Sequence, residues 1–351
     1  MTTLALAALS AAMMFVPPPR TVVSDNARTA VAEVVETDDS LITRSGLLEY
    51  GTQRLTVELP DGTRRKAVNE LRAQLDIDKK FRIGDSALVT TGEEPLTARD
   101  HFRTGKMAFM FLLFAALLLL FGGWTGAKAL FSFVFCCIAT WKVLIPLVLD
   151  GWNASLTVFA TVSLLTAVIM YLVAGFTRIG ISAFLGSMLG IGVSLLCAHV
   201  SMPLLHINGA TMPFSQALLY SGYESLDLAD IFSAAVVLAS SGAVMDLAMD
   251  IAAGVGEVHR HNPALSGREL FASGIRIGRA VVGTMTTTLL LAYSGGYMTL
   301  LMMFAAQGTP PWTFLNTTLV SAEVVKTLVG SFGLVLVAPF TAMISATVMK
   351  R

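Results

Sequence analysis

From Lys106 to its end the chain is a succession of apolar runs, at residues 107–123, 127–149, 155–176, 179–200, 229–256, 278–307 and 325–349. Roughly 20 apolar residues in a row cross the hydrocarbon of a bilayer as a helix, because lipid offers no partner to an unpaired backbone amide. Charged residues make up only 14% of the chain and hydrophobic ones 54%, where a soluble domain carries about 25% charged residues. Residues 106–351 are therefore expected to form a membrane domain of about seven transmembrane helices, with membrane lipid as its first partner. The net charge is zero, and the basic residues stand singly beside apolar runs. That gives no patch for a phosphate backbone, so no nucleic-acid role is expected.

The first 105 residues have a different character. Residues 1–16 are apolar, with no Lys or Arg before them, and end at Pro17-Pro18-Pro19. Residues 1–19 are expected to be a signal-anchor or transmembrane helix, with cleavage left open. Residues 20–105 are polar and β-patterned: 28–35 and 53–59 alternate with β-branched side chains, Pro60-Asp61-Gly62 reads as a hairpin turn, and 81–89 as a turn plus a strand. So short a domain removes its exposed edges by closing on itself. The expected fold class is an all-α polytopic membrane bundle with a small exported β-barrel-like domain. Charge sets the orientation. With the sixth run taken as one helix interrupted at Ser294-Gly295-Gly296, Lys128, Arg178, Arg260, Arg268, Arg276, Arg279 and Lys350-Arg351 fall on one side. The connections 150–155, 201–228 and 308–322 fall on the other and contain no Lys or Arg; Arg103 and Lys106, at the exported end of the first run, are exceptions beside a folded domain that translocates regardless of them. By the positive-inside rule the basic side is cytoplasmic and the β domain extracytoplasmic.

Two acids interrupt the fifth run. Asp246 and Asp250 stand four residues apart, and at 100° per residue they project within about 40° of one another and of Glu257. A carboxylate at mid-bilayer costs at least about 2.5 kcal/mol, so each needs a partner, water or a proton. Burial and mutual repulsion favour the protonated form of at least one of them, which makes the pair proton-coupling candidates. The antiparallel neighbour that follows carries Thr284, Thr286, Thr287 and Thr288 at comparable depth. These are expected to supply supporting polar contacts, since a hydroxyl can donate to a carboxylate or accept from a carboxyl. Lys142 and Lys326 lie in the exported halves of their runs, and Glu323 stands just before the last run. They are expected to line an outer vestibule, or in the case of the lysines to snorkel to the headgroups.

Other signals point nowhere further. Cys136, Cys137 and Cys197 lie in apolar runs and read as small hydrophobes. Glu257, His259 and His261 sit in a solvated turn without a ligand pattern, so no metal and no cofactor are expected. A Gly-rich phosphate loop is missing, and no nucleophile stands near an evident base, so the chain is not read as an enzyme. Ser182, Gly186, Gly190 and Ser194 recur every four residues and suit close helix packing. Residues 262–278 mix Leu and Ile with Arg and read as a segment lying along the cytoplasmic interface.

Three segments together resemble a known family. They are Ser241-Gly242-Ala243-Val244-Met245-Asp246 continuing to Glu257, Ser273-Gly274-Ile275-Arg276-Ile277-Gly278-Arg279 continuing through the threonines to Tyr293, and 323–326 with 330–339. The family is the YibE/F-like group of bacterial multi-pass membrane proteins, whose β-patterned exported domain is also similar. The resemblance implies a bacterial plasma-membrane location. Gly242-Ala243-Val244-Met245-Asp246 is also similar to the Gly-x-x-x-Asp element of the SecD/SecF export proteins and related RND permeases, which implies a proton-binding role for Asp246. Those proteins pair two helical units where this chain has one, so the same resemblance implies a homodimer. The expected function is that of a proton-coupled permease or export-assisting factor. The alternative is a non-transporting scaffold or assembly factor whose β domain binds an envelope protein.

Overall fold

A computed structural model describes residues 28–92 and 94–350. The anchor expected at 1–19 lies outside the described residues. The chain divides into two compact units at 121–122.

In the first unit five strands, β1 (Arg28–Ser45), β2 (Leu48–Glu58), β3 (Arg64–Arg72), β4 (Ser86–Thr91) and β5 (Leu96–His101), close into a barrel of order β1-β2-β3-β5-β4. The long β1 serves two neighbours, pairing with β4 through its first third and with β2 through the rest. Register shifts between Val34 and Glu36 and between Asp38 and Leu41 bend it around the ring. Alternate residues, among them Val34, Leu55, Val57, Ala67, Val89 and Leu96, fill the interior around Phe81. The expected hairpin is present: Gly62 takes φ 79°, and the Asp61 carboxylate accepts from the Thr63 amide at 2.9 Å. Ring closure runs through the parallel pairs Ala67–Leu96 and Val68–Thr97.

Gln53 and Asn69, both buried, pin the long β3–β4 connection to the barrel wall. The Gln53 amide donates to the Phe81 carbonyl at 2.9 Å and to Asp39 at 2.9 Å, and its carbonyl accepts from the Phe81 amide at 3.0 Å. Asn69 donates to the Lys79 carbonyl at 2.6 Å. A hydrogen bond from Lys80 holds the Asp39 carboxyl below its ordinary range, against a burial penalty and with help from Gln53. A depressed carboxyl pKa stabilises the fold above the unfolded-state value and loses that contribution as pH falls through the folded one. Protection of β2 amides from hydrogen exchange, corrected for intrinsic rates, is therefore expected to weaken as pH falls below about 4. Asp39→Asn should flatten that dependence, and an unchanged profile in the variant would remove the assignment. The effect is small, because both side chains are about 40% exposed (39% for Lys80 and 44% for Asp39).

The helices are α1 (Thr104–Ala139), a π-helical turn Thr140–Leu144, α2 (Ile145–Leu149), α3 (Ala154–Ala174), α4 (Arg178–Leu204), α5 (Ser215–Tyr220), α6 (Leu228–His261), α7 (Gly267–Gly296), α8 (Met298–Ala306), α9 (Pro311–Leu315) and α10 (Thr318–Lys350). Among the described residues, six segments are long and apolar enough to cross a membrane, the arrangement of a multi-pass membrane protein. The sequence suggested about seven. The difference lies at Gly123, whose φ of 52° and ψ of −126° break α1 without any intervening loop, so two apolar runs share one 46-residue helical segment. The π turn has a local cause: Pro146 has no N–H for the Lys142 carbonyl, and the Ile145 amide reaches back five residues to Thr140.

In the second unit α4, α6 and α10 pack together, α3 lies on α4 and α6, and α7 lies on α6 and α10. The four-residue stripe Ser182, Gly186, Gly190 and Ser194 is buried, and both glycines face α10. A Cβ at Gly186 would collide with Thr341, one at Gly190 with Val337 at 2.9 Å, and one at Gly333 with Ser194. Residues 262–278 depart from the interfacial expectation. A capping box of Ser266 and Glu269 starts α7 at Gly267, and Gly274 and Gly278 seat its first turns directly on Ala342 and Ala338 of α10. Glycine at this spacing removes the bulk that would hold the two backbones apart.

Candidate functional site

One face of α6 carries the acids. Ala235, Ala239, Gly242, Asp246, Asp250, Ala253 and Glu257 are all exposed, whereas Val237, Val244, Leu247, Ile251 and Val255 on the opposite face are fully buried. Asp246 and Asp250 thus sit one turn apart on an uncovered stripe of a membrane-length helix. Neither has a hydrogen bond or ion pair among the described residues, and each carboxylate repels the other. On one flank the Met245 sulfur lies 3.0 Å from the hydroxyl oxygen of Thr166 of α3, which donates to the Val162 carbonyl at 2.7 Å. On the other flank Gly254 and Ile251 meet Ile277 and Gly278 of α7. The stripe is therefore the floor of a furrow between α3 and α7. Continuing the antiparallel register of those contacts puts Asp246 level with residues 283–285 and Asp250 level with 279–281. The third acid stands apart: Glu257 is committed to Arg260 at 3.0 Å and His261 at 3.2 Å.

A family model described as YibE/F-like protein matches residues 110–351. The chain belongs to the YibE/F-like family. The match takes in the acidic stripe, the threonines of α7 and all of α10, and it starts after the barrel. No curated protein and no solved structure matches the chain.

The threonines of this YibE/F-like chain are differently engaged from the sequence expectation. Thr284 donates to Val281, Thr286 to Val282, Thr287 to Gly283 and Thr288 to Thr284, all to carbonyls of their own helix at 2.7–3.0 Å. A helical threonine satisfies its donor locally in this way. Its oxygen keeps accepting capacity, so it can receive a proton-bearing carboxyl but has no hydrogen left for an ionised one. Thr284 and Thr288, seven and eleven residues beyond Ile277, continue the flank of α7 that meets α6.

The three vestibule candidates do not converge on the acids. Lys326 donates to Glu323 at 2.6 Å, both are about one-fifth exposed (20% and 22%), and the ammonium lies 5.4 Å from the Phe232 ring. Phe232 is fourteen residues before Asp246, about 21 Å along α6. Lys142 lies in the π turn after α1, half-buried, with no ion pair among the described residues.

Sequence reasoning missed Asp230. Its carboxylate, 10% exposed, accepts from the Ala154 amide at 2.6 Å, the Ser155 amide at 3.3 Å and the Ser155 hydroxyl, and it lies 3.7 Å from His199. A side chain on α6 thus caps the N-terminus of α3, where free amides and the helix dipole favour an anion. In sequence it looks like a first-turn acid of its own helix, because nothing local marks an acceptor for amides 75 and 76 residues away. Asp230→Ala is expected to cost about 2 kcal/mol of stability. Thermal unfolding in detergent reads this directly, and a melting temperature equal to that of the unmodified chain would contradict it.

Proposed function

We propose that this YibE/F-like chain is a proton-coupled permease or export-assisting factor of the bacterial plasma membrane. Asp246 takes up the proton, and Asp250 passes it towards the cytoplasmic end of α6. The reading is carried by one observation: two carboxylates one turn apart on a membrane-length helix, with no fixed cation against either. An acid locked to a lysine stays charged, whereas one in a furrow between helices can change protonation as its surroundings hydrate. Local satisfaction of the α7 hydroxyls fits the same cycle, because their free lone pairs favour the protonated state of a neighbouring acid. In this proposal Gly123 divides the 46-residue segment into two crossings. The basic residues then collect on the cytoplasmic side, and the barrel faces away from it.

The test uses purified protein in liposomes with an imposed pH gradient and an enclosed pH-sensitive dye. Gradient dissipation well above that of protein-free vesicles is expected. A rate equal to theirs, from protein that melts cooperatively, would leave the scaffold reading in its place. That second reading draws on the barrel, where a groove of about 600 Å³ on the outer wall carries Glu36, Arg54, Lys66 and Glu94 and offers both signs of charge to an envelope protein.

A further inference from the structure

We infer that the furrow floored by Asp246 and Asp250 is covered by a second copy of this chain, which meets it with the outer face of helix α7. The inference rests on the membrane placement proposed above but not on proton carriage.

Glycines supply the first argument. Gly254, Gly274 and Gly278 are accounted for by the chain's own packing, since a Cβ at each would press on Ile277, Ala342 or Ala338. Gly242 in the acidic stripe and Gly283 on α7 are not, because a Cβ at either meets nothing within 4 Å. Glycine inside a helix weakens it relative to alanine, so glycines that the chain's own packing leaves unused, Gly192, Gly295 and Gly296 among them, leave room for another body to approach closely, and Gly242 and Gly283 do so beside the acids. Ala235, Ala239 and Ala253 keep the rest of the α6 stripe equally low.

Charge identifies that body. Two copies inserted by the same topogenic rule share one orientation, so a symmetric pair has its two-fold axis along the membrane normal and groups at equal depth meet. Arg279 is level with Asp250 by the register of α6 and α7. It is exposed and has no ion pair among the described residues. Gly283 and Thr287 lie one and two turns further along the same outer side of α7, level with Asp246 and Gly242. One surface therefore offers a carboxylate and a low floor, while the other offers a guanidinium and a glycine at matching heights; such a pair holds Asp250 charged while it lasts, so Asp250 can relay a proton only when the pair parts, and Asp246, opposite a glycine, stays free to titrate. Both belong to the same sequence and lie on neighbouring helices, so in the two-fold pair each furrow receives the other copy's α7, and that reciprocal contact closes as a dimer.

Cross-linking tests the pairing in a background with Cys136, Cys137 and Cys197 replaced by serine. Differently tagged Asp250→Cys and Arg279→Cys chains are co-expressed, and their membranes are treated with a short thiol cross-linker. A covalent dimer carrying both tags is expected, at least tenfold above that from either variant alone. Gly242→Leu and Gly283→Leu, whose Cβ atoms enter open space in the single chain, should melt like the parent. Each should also raise the dimer dissociation constant at least tenfold, read by single-molecule photobleaching in lipid. No mixed-tag product, a chain that is monomeric in lipid, or Leu variants with parental dimerisation would each overturn the inference. So would co-purification of a different membrane protein that occupies the furrow. Proton flux is read separately: a dimer without flux defeats the permease reading alone, and flux from a monomer defeats the pairing alone.

Discussion

Asp246→Asn is expected to lower gradient-driven proton movement in proteoliposomes by about 100-fold or more, the usual scale for removing a positioned proton-transfer group. Asparagine keeps the shape and hydrogen-bonding atoms of aspartate but cannot titrate, so insertion and folding are preserved while the carrier is lost. The residue stands on a face of α6 that its own chain leaves uncovered, so no packed neighbour within the chain has to adjust, and the melting temperature should stay within a degree or two of the parent. Asp250→Asn should retain part of the rate, because it removes the relay and leaves the principal acceptor. Asp246→Glu should restore some flux with an altered pH profile, a readout that a merely structural acid would not move. Parental flux from Asp246→Asn would end the proton reading.

The second large effect falls on the seam between α4 and α10. Gly333→Val is expected to destabilise the protein by about 3 kcal/mol or more, because the added carbon strikes Ser194 and lies 2.8 Å from the Gly190 carbonyl oxygen. A flexible side chain could swing aside, but a helix carbonyl cannot without moving its helix. Melting temperature and yield from membranes measure the change, and Ser194→Gly should recover part of it in Gly333→Ala. Gly283→Ala, which meets open space, is the matched control and should leave the fold unaffected. A Gly333→Val protein that melts with the parent would mean that the two helices are not in contact.

Much of this architecture can be read from the residues, because lipid and β-pairing each impose a strict period. Apolar runs locate α3, α4, α6 and α10, and the alternation at 53–59 locates β2. Spacing of four names the Ser182, Gly186, Gly190 and Ser194 stripe, since small residues on one helix face have few other uses. What periodicity gives is which residues share a face, not which faces are covered. Periodicity therefore places the acids together on α6, while the open furrow they occupy depends on where α3 and α7 pack. Asp230 escaped for the same reason, its partners being 75 and 76 residues away. The threonine bonds escaped because a hydroxyl has a local carbonyl and a distant carboxylate to choose between, and the sequence does not rank them. Gly123 reads as ordinary small-residue content until its dihedral angles are known.

The barrel closes where β3 and β5 run in the same direction, through Ala67–Leu96 and Val68–Thr97, while β2 and β3 are zipped from Tyr50–Arg72 to Glu58–Arg64. Strain on the ring is therefore released first at that junction, which sacrifices the fewest ladder bonds. Parted there, the ring becomes a ribbon with two raw margins, each showing amides and carbonyls that a passing extended polypeptide can complete.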